Sequence, residues 1–185
     1  DDGRGAVADP WLATRVRFFD LTMRAFQIVL PLVAAEAALR CALLGRRAGD
    51  HDARVNALAF SAAAPASQRR CSPAELARSA RKLDAAEAIA RGHAVPLGRE
   101  IVQLNRAMVW LPTDPARARK ASDSALAGLA RLGMVDSYEG NRARGQHLFV
   151  LYCAGDHDEL LAAAEREIAT RDNNLMTVAV AYLGQ

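Results

Sequence analysis

Apolar side chains recur every three or four positions along almost the whole chain, which is the period of a helix packed on one side. Leu12, Val16, Phe19, Met23, Phe26 and Leu30 form the longest such stripe, introduced by Asp9-Pro10, where the acid can cap and the proline sits at a first helical position that needs no N–H. Pro31 should end or kink that helix near Leu30. A second helix carries Leu32, Leu39 and Leu43 and stops at Gly49, and a third, short one carries Val55, Leu58, Ala59 and Ala62 and fades around Pro65. Ser72-Pro73-Ala74-Glu75 is a capping box that opens a helix with Leu76, Ala80, Leu83 and Ala90 inward and a Glu87–Arg91 pair outside. Gly92 ends it.

The pattern then predicts a helix from Pro96 to Leu111 on Ile101, Leu104, Met108 and Leu111, and another from Asp114-Pro115 on Ala118, Ala121, Ala125, Leu129 and Leu132, stopped by Gly133. Gln146 to Asn173 should form a helical hairpin: Leu148, Phe149, Leu151 and Tyr152 face inward, Gly155 stops the first helix, Asp156 starts the second, and Leu160, Ala164 and Ile168 continue the apolar face. Leu175, Val178, Ala179 and Tyr182 predict a last helix. The expected fold is all-α, with about nine helices and no strand. Because turns recur about every 20 residues, the helices are expected to form antiparallel pairs in a tetratricopeptide-like α-solenoid or a compact version of one. Residues 1–8 are expected to be a frayed end or linker and 9–185 a single helical repeat domain, expected to belong to a longer chain.

Composition fits this class. The 185 residues are 51% hydrophobic but only 5% aromatic, and alanine is the largest apolar contributor, which favours helices in close contact. The net charge of +3 is carried almost wholly by arginine, since Lys82 and Lys120 are the only lysines. Phe26 to Leu44 is interrupted by Pro31, Glu36 and Arg40, too soon for the roughly 20 apolar residues a membrane span needs. No signal peptide precedes the first helix, and Cys41, Cys71 and Cys153 are widely spaced and odd in number, so the expected compartment is the cytoplasm, with no membrane partner. Cys41 and Cys153 fall on apolar faces; Cys71, beside Arg69 and Arg70, is the one thiol whose setting could lower its pKa.

One set of residues goes beyond helix pattern. Tyr138-Glu139, Arg142, Phe149, Leu151-Tyr152, Gly155-Asp156, Glu159-Leu160, Glu167, Arg171 and Asp172 resemble the end of the C-terminal helical repeat region of large bacterial serine/threonine protein kinases that carry an AAA-type ATPase module upstream. Arg15-Val16-Arg17, Ala38-Leu39-Arg40, Ala48-Gly49 and Ala57-Leu58-Ala59 are similar to its start. The resemblance implies a non-catalytic regulatory or protein-interaction segment of a signalling protein. The chain departs from that pattern at Gly140 and Gly145, where helix-favouring residues are expected. No phosphate loop, His-Arg-Asp or Asp-Phe-Gly occurs in the chain.

Ala-Gly-Asp-His-Asp occurs twice, at 48–52 and 154–158, separated by an expected five helices, so the copies are reused turn chemistry and not repeat equivalents. Their His51-Asp52 and His157-Asp158 pairs invite an alternative reading as an HD-type metal-dependent phosphohydrolase, with His93 and His147 as further ligands; helix capping is the plainer account. A basic cluster, Arg69, Arg70, Arg78, Arg81 and Lys82, raises a second alternative, a helical nucleic-acid binder, which the lack of interleaved aromatics disfavours. Trp11, Phe18, Phe19 and Phe26 crowd the first helix as core or as a docking face for a neighbouring repeat. The expected partner is a protein or peptide, including other domains of the same chain, gripped by a groove lined by Arg106, Tyr138, Arg142 and Arg144; no cofactor is expected. Alanine at these four positions should leave folding intact.

Overall fold

The structure is a computed structural model that describes residues 9–26, 30–66 and 71–170. Eight helices occupy them: α1 (Pro10–Phe26), α2 (Pro31–Ala48), α3 (His51–Ala66), α4 (Pro73–Gly92), α5 (Pro96–Trp110), α6 (Pro115–Arg131), α7 (Tyr138–Ala154) and α8 (His157–Thr170). There is no strand among the described residues. The last expected helix, and with it the ninth of the count, lies outside them.

The punctuation of the sequence is local chemistry, and it holds. Gly49 and Gly155 take the left-handed conformation that ends α2 and α7, at φ 68° and 77°. Ser72 Oγ accepts from Glu75 N at 3.3 Å while Glu75 Oε2 accepts from Ser72 N at 2.8 Å, completing the capping box. Asp50 and Asp114 cap α3 and α6 by accepting from Ala53 N and Arg117 N. Asp156 does something further: its carboxylate lies 2.9 Å from Arg119 Nη1, tying the start of α8 to α6. α3 runs one residue past Pro65.

Each helix packs on its neighbours in the chain, and the odd-numbered helices also touch one another in succession: α1 on α3, α3 on α5, α5 on α7. The even-numbered helices pack only on the helix before and the helix after. The core of the described residues is therefore a string of five small clusters, each shared by two or three consecutive helices. Cys41 shows the joint at close range, its Sγ lying 3.9 Å from Val16 O of α1 and 3.8 Å from Ala53 O of α3. Ala34, Ala37 and Ala38 of α2 and Ala118, Ala121 and Ala125 of α6 are buried, and their small side chains let the helices come close.

α4, α6 and α8 bury one face, close to the one their periodicity predicts, whereas α3, α5 and α7 are covered on two sides, and on α2 the expected stripe of Leu32, Leu39 and Leu43 is the exposed face, with Ala34, Ala37, Ala38, Cys41 and Leu44 buried instead. That corrects several expected inner faces. In the last two turns of α7 the buried residues are Leu148, Val150 and Leu151, while Phe149 and Tyr152 are exposed. Leu132 and Ile168 are exposed too, at the ends of their stripes. Gly140 and Gly145 both lie inside α7. A side chain at Gly140 would run into the carbonyl oxygens of Met134 and Val135, so the departure there is a close approach of the preceding loop; Gly145 has no such neighbour.

Candidate functional site

The four residues expected to line a groove divide into three settings. Tyr138 and Arg142, one turn apart on α7, enter a polar seam that joins α1, α5 and α7. Arg24 of α1 is its hub: Nε lies 2.9 Å from Asp20 Oδ2, Nη1 pairs with Glu139, and the guanidinium stands 5.8 Å over the Tyr138 ring. Tyr138 Oη donates to Arg24 O at 3.3 Å. Burial works against the Arg24 charge, but the carboxylates of Asp20 and Glu139 outweigh it and raise its pKa. Burial pushes the Tyr138 hydroxyl up, with Arg142 and Arg24 opposing.

Arg142 is placed differently. Its Nη2 donates to Asn105 Oδ1 at 3.0 Å, and no carboxylate of the described residues lies within ion-pair distance. Burial holds its pKa below the ordinary arginine value; Tyr138 and Glu139 act against that lowering, and Arg24 adds to it. Asn105 is fully buried and turns its Nδ2 onto Ile101 O at 2.8 Å, which fixes the amide so that its oxygen faces Arg142. In the same seam Asp20 Oδ1 is buried without a hydrogen-bond donor among the described residues. A desolvated cation with one neutral acceptor and a carboxylate oxygen with none leave polar valence unspent.

Arg106 faces the other way and spends its charge on Asp84 and Glu87 of α4, at 2.8 and 2.7 Å. Arg144 is buried: its Nε pairs with Glu167 Oε2 of α8 at 3.1 Å, Nη1 donates to Val135 O at 2.5 Å, and Nη2 donates to Asn141. It is a packing residue of the α7–α8 joint, and the expectation that alanine there would leave folding intact gives way to that burial. A cavity of about 270 Å³ between α6, α7 and α8 lies beside it, lined by Leu126, Leu129, Leu148 and Ala163 with His147 and Arg144.

Sequence reasoning missed Asp20, Arg24, Asn105 and Glu139. Asn105 was findable: it follows Leu104 on the stripe that Ile101 and Met108 define, a polar residue at an apolar position. The other three look in sequence like ordinary surface charges, and only the approach of α1 to α7 brings them together.

The other candidates resolve as follows. His51 and His157 open α3 and α8, and the His51 ring stacks on His93 with centroids 3.4 Å apart and planes 7° from parallel. His147 Nδ1 lies 3.2 Å from Ser122 Oγ and 3.5 Å from Asp123 Oδ1. No three His, Cys, Asp or Glu side chains among the described residues converge as metal ligands. Of the basic cluster, Arg78 and Arg81 are exposed and Lys82 Nζ donates to Ser61 O at 3.2 Å; Arg69 and Arg70 lie outside the described residues. Cys41 is buried as expected and its thiol is pushed up to about 12, chiefly by burial. Cys153 is exposed, against expectation. Cys71 is also corrected: desolvation and the Glu75 carboxylate push its thiol up, not down.

Fold and seam together define an all-helical protein whose first, fifth and seventh helices share a polar cluster. No family model, curated protein or solved structure matches the chain. No helix of the described residues is long and apolar enough to cross a membrane.

Proposed function

We propose that the helices pair antiparallel as a tetratricopeptide-like α-solenoid and that the chain is a non-catalytic, cytoplasmic protein-interaction segment of a larger bacterial signalling protein of the serine/threonine kinase type. The order of contacts supports the architecture: successive odd helices pack on one another, while even helices pack on their chain neighbours and α6 reaches α8 only through the ion pairs of Arg119, as stacked helix pairs do. The resemblance of the 138–172 and 15–59 stretches supports the signalling context. One observation carries the function: Arg142 sits on the row of odd helices hydrogen-bonded to Asn105, and it is in no ion pair among the described residues. A peptide bearing a carboxylate would neutralise it, and the bond to Asn105 holds the guanidinium in place for that contact.

The test is affinity capture with the purified chain beside Arg142→Gln and Tyr138→Phe variants. Capture of a discrete protein in constant ratio, lost in Arg142→Gln at an unchanged melting temperature, is the expected result. Equal capture by Arg142→Gln would remove the assignment. Stoichiometric bound metal together with phosphohydrolase activity would favour the enzyme reading instead.

A further inference from the structure

We propose that the cavity between α6, α7 and α8 is a binding site for a small amphipathic monocarboxylate, its apolar body among the leucines and its carboxylate against His147 and Arg166. The site lies apart from the Arg142 seam and does not depend on it. The space exists because α6 and α8 do not pack on each other: Arg119 of α6 holds Asp156 and Glu159 at the start of α8, and further along both helices a gap opens over α7. Its volume is about 270 Å³. Pockets for drug-sized ligands begin at about 300 Å³, so this one suits a smaller molecule.

The lining sets the chemistry of the occupant. Leu126 and Leu129 of α6, Leu148 of α7 and Ala163 of α8 give an apolar wall. A dry packing void is lined by apolar groups alone, whereas this one also carries His147, Arg144, Arg166 and Glu167. The His147 side chain is 12% exposed; its Nδ1 is turned to Ser122 Oγ and Asp123 Oδ1 of α6, and its Nε2 makes no hydrogen bond among the described residues. A largely desolvated imidazole thus keeps one nitrogen for another molecule. Two guanidiniums stand against the single carboxylate of Glu167 on the same lining, an excess of positive charge that selects an anionic head group over a cationic one. Arg144 is buried and bound to Glu167 while Arg166 is exposed, so the head group meets Arg166 and His147. The groups already facing the His147 ring are Asp123 and Arg119 of α6 and Glu159 and Arg166 of α8; burial outweighs the two acids and holds the pKa below the usual histidine value. An added carboxylate works with those acids against burial, so binding takes up a proton and tightens as pH falls.

The probe is sodium octanoate, titrated into the purified chain by isothermal calorimetry, with octylammonium and octan-1-ol as controls of equal length. Octanoate should bind saturably in a one-to-one ratio and at least about tenfold tighter than either control. Its affinity should rise at least about threefold from about pH 8 to about pH 6, on either side of the free histidine value, and His147→Gln should remove that dependence. Arg166→Gln, at an exposed position, should weaken octanoate about tenfold and leave octan-1-ol unchanged. Leu126→Phe, on the half-buried wall, should fill the cavity and weaken octanoate by at least about tenfold. Absent or non-saturable octanoate heat overturns the proposal, as does either control binding as tightly, an affinity indifferent to pH, an Arg166→Gln protein that binds octanoate as wild type does, or a folded Leu126→Phe protein that does the same.

Discussion

Gly140 and Gly145 stand five residues apart on one helix and answer to opposite constraints. Both cost helix stability, because glycine loses more backbone freedom than any other residue on folding. At Gly140 the loop carbonyls of Met134 and Val135 occupy the space a methyl group would need, and backbone cannot step aside as a flexible side chain can. At Gly145 nothing stands in the way. Gly145→Ala should therefore raise stability by about 0.5–1 kcal/mol, while Gly140→Ala should lower it by about 1–3 kcal/mol as the loop is displaced; paired denaturant titrations read both. Arg144 is the other residue whose surroundings decide its role. With Arg144 and Glu167 side chains 10% and 17% exposed, the ion pair is largely desolvated, and removing the cation takes this partner from Glu167 and a hydrogen-bond donor from Val135 and Asn141. Arg144→Met should cost about 3 kcal/mol, whereas exposed Lys120 changed the same way should cost a few tenths at most. A melting curve for Arg144→Met that overlays wild type would mean the pair contributes nothing.

At the scale of the element, what was legible in the sequence was whatever chemistry is local. Pro10, Pro31, Pro73, Pro96 and Pro115 each open a helix, and capping acids, the Ser72–Glu75 box and the left-handed glycines mark the boundaries between them, since each acts within a turn of its own position. The faces of α4 and α6 were legible for the same reason, since a helix covered on one side has one periodic stripe, but α2 carries leucines on one side and alanines on the other, and it is the alanine side that is buried. The odd helices escaped because two-sided burial blurs the period, which is how Phe149 and Tyr152 were taken as inward and Asn105 and Arg144 were not. His147 belongs to this class. It lies on α7 against Ser122 and Asp123 of α6, where burial holds its pKa below the usual histidine value despite Asp123 and Glu159. The unfolded chain then binds a proton at higher pH than the folded one, so this contribution to stability is whole above the unfolded pKa and is lost as pH falls through it toward the folded value. Denaturant midpoints should drop between about pH 7.5 and 5.5, on either side of the free histidine value, and His147→Gln should flatten that drop. An equally steep drop in the variant would assign the pH dependence to other groups.

At the scale of the whole molecule, an array of helices that touch only near neighbours should behave as a one-dimensional stack, its ends opening independently. Arg24 changes that. The backbones of α1 and α7 make no direct packing contact, yet Arg24 reaches Glu139, and Tyr138 donates to the Arg24 carbonyl, so side chains alone clasp the first helix to the seventh. The Arg24 and Glu139 side chains are 25% and 12% exposed, sheltered enough for the pair to exceed an open surface bridge, and Asp20 pre-orders the guanidinium so that less freedom is lost on closing it. A double-mutant cycle on Arg24→Met and Glu139→Gln should return a coupling of about 1 kcal/mol, in the range for contacting charged residues. The sharper expectation is spatial. Native-state hydrogen exchange on Arg24→Met should show protection falling in the first turns of α7 as well as in α1, with α4 unchanged, because it packs on neither α1 nor α7. Loss confined to α1 would mean that the ends are uncoupled and that the seam around Arg142 stays formed without its hub.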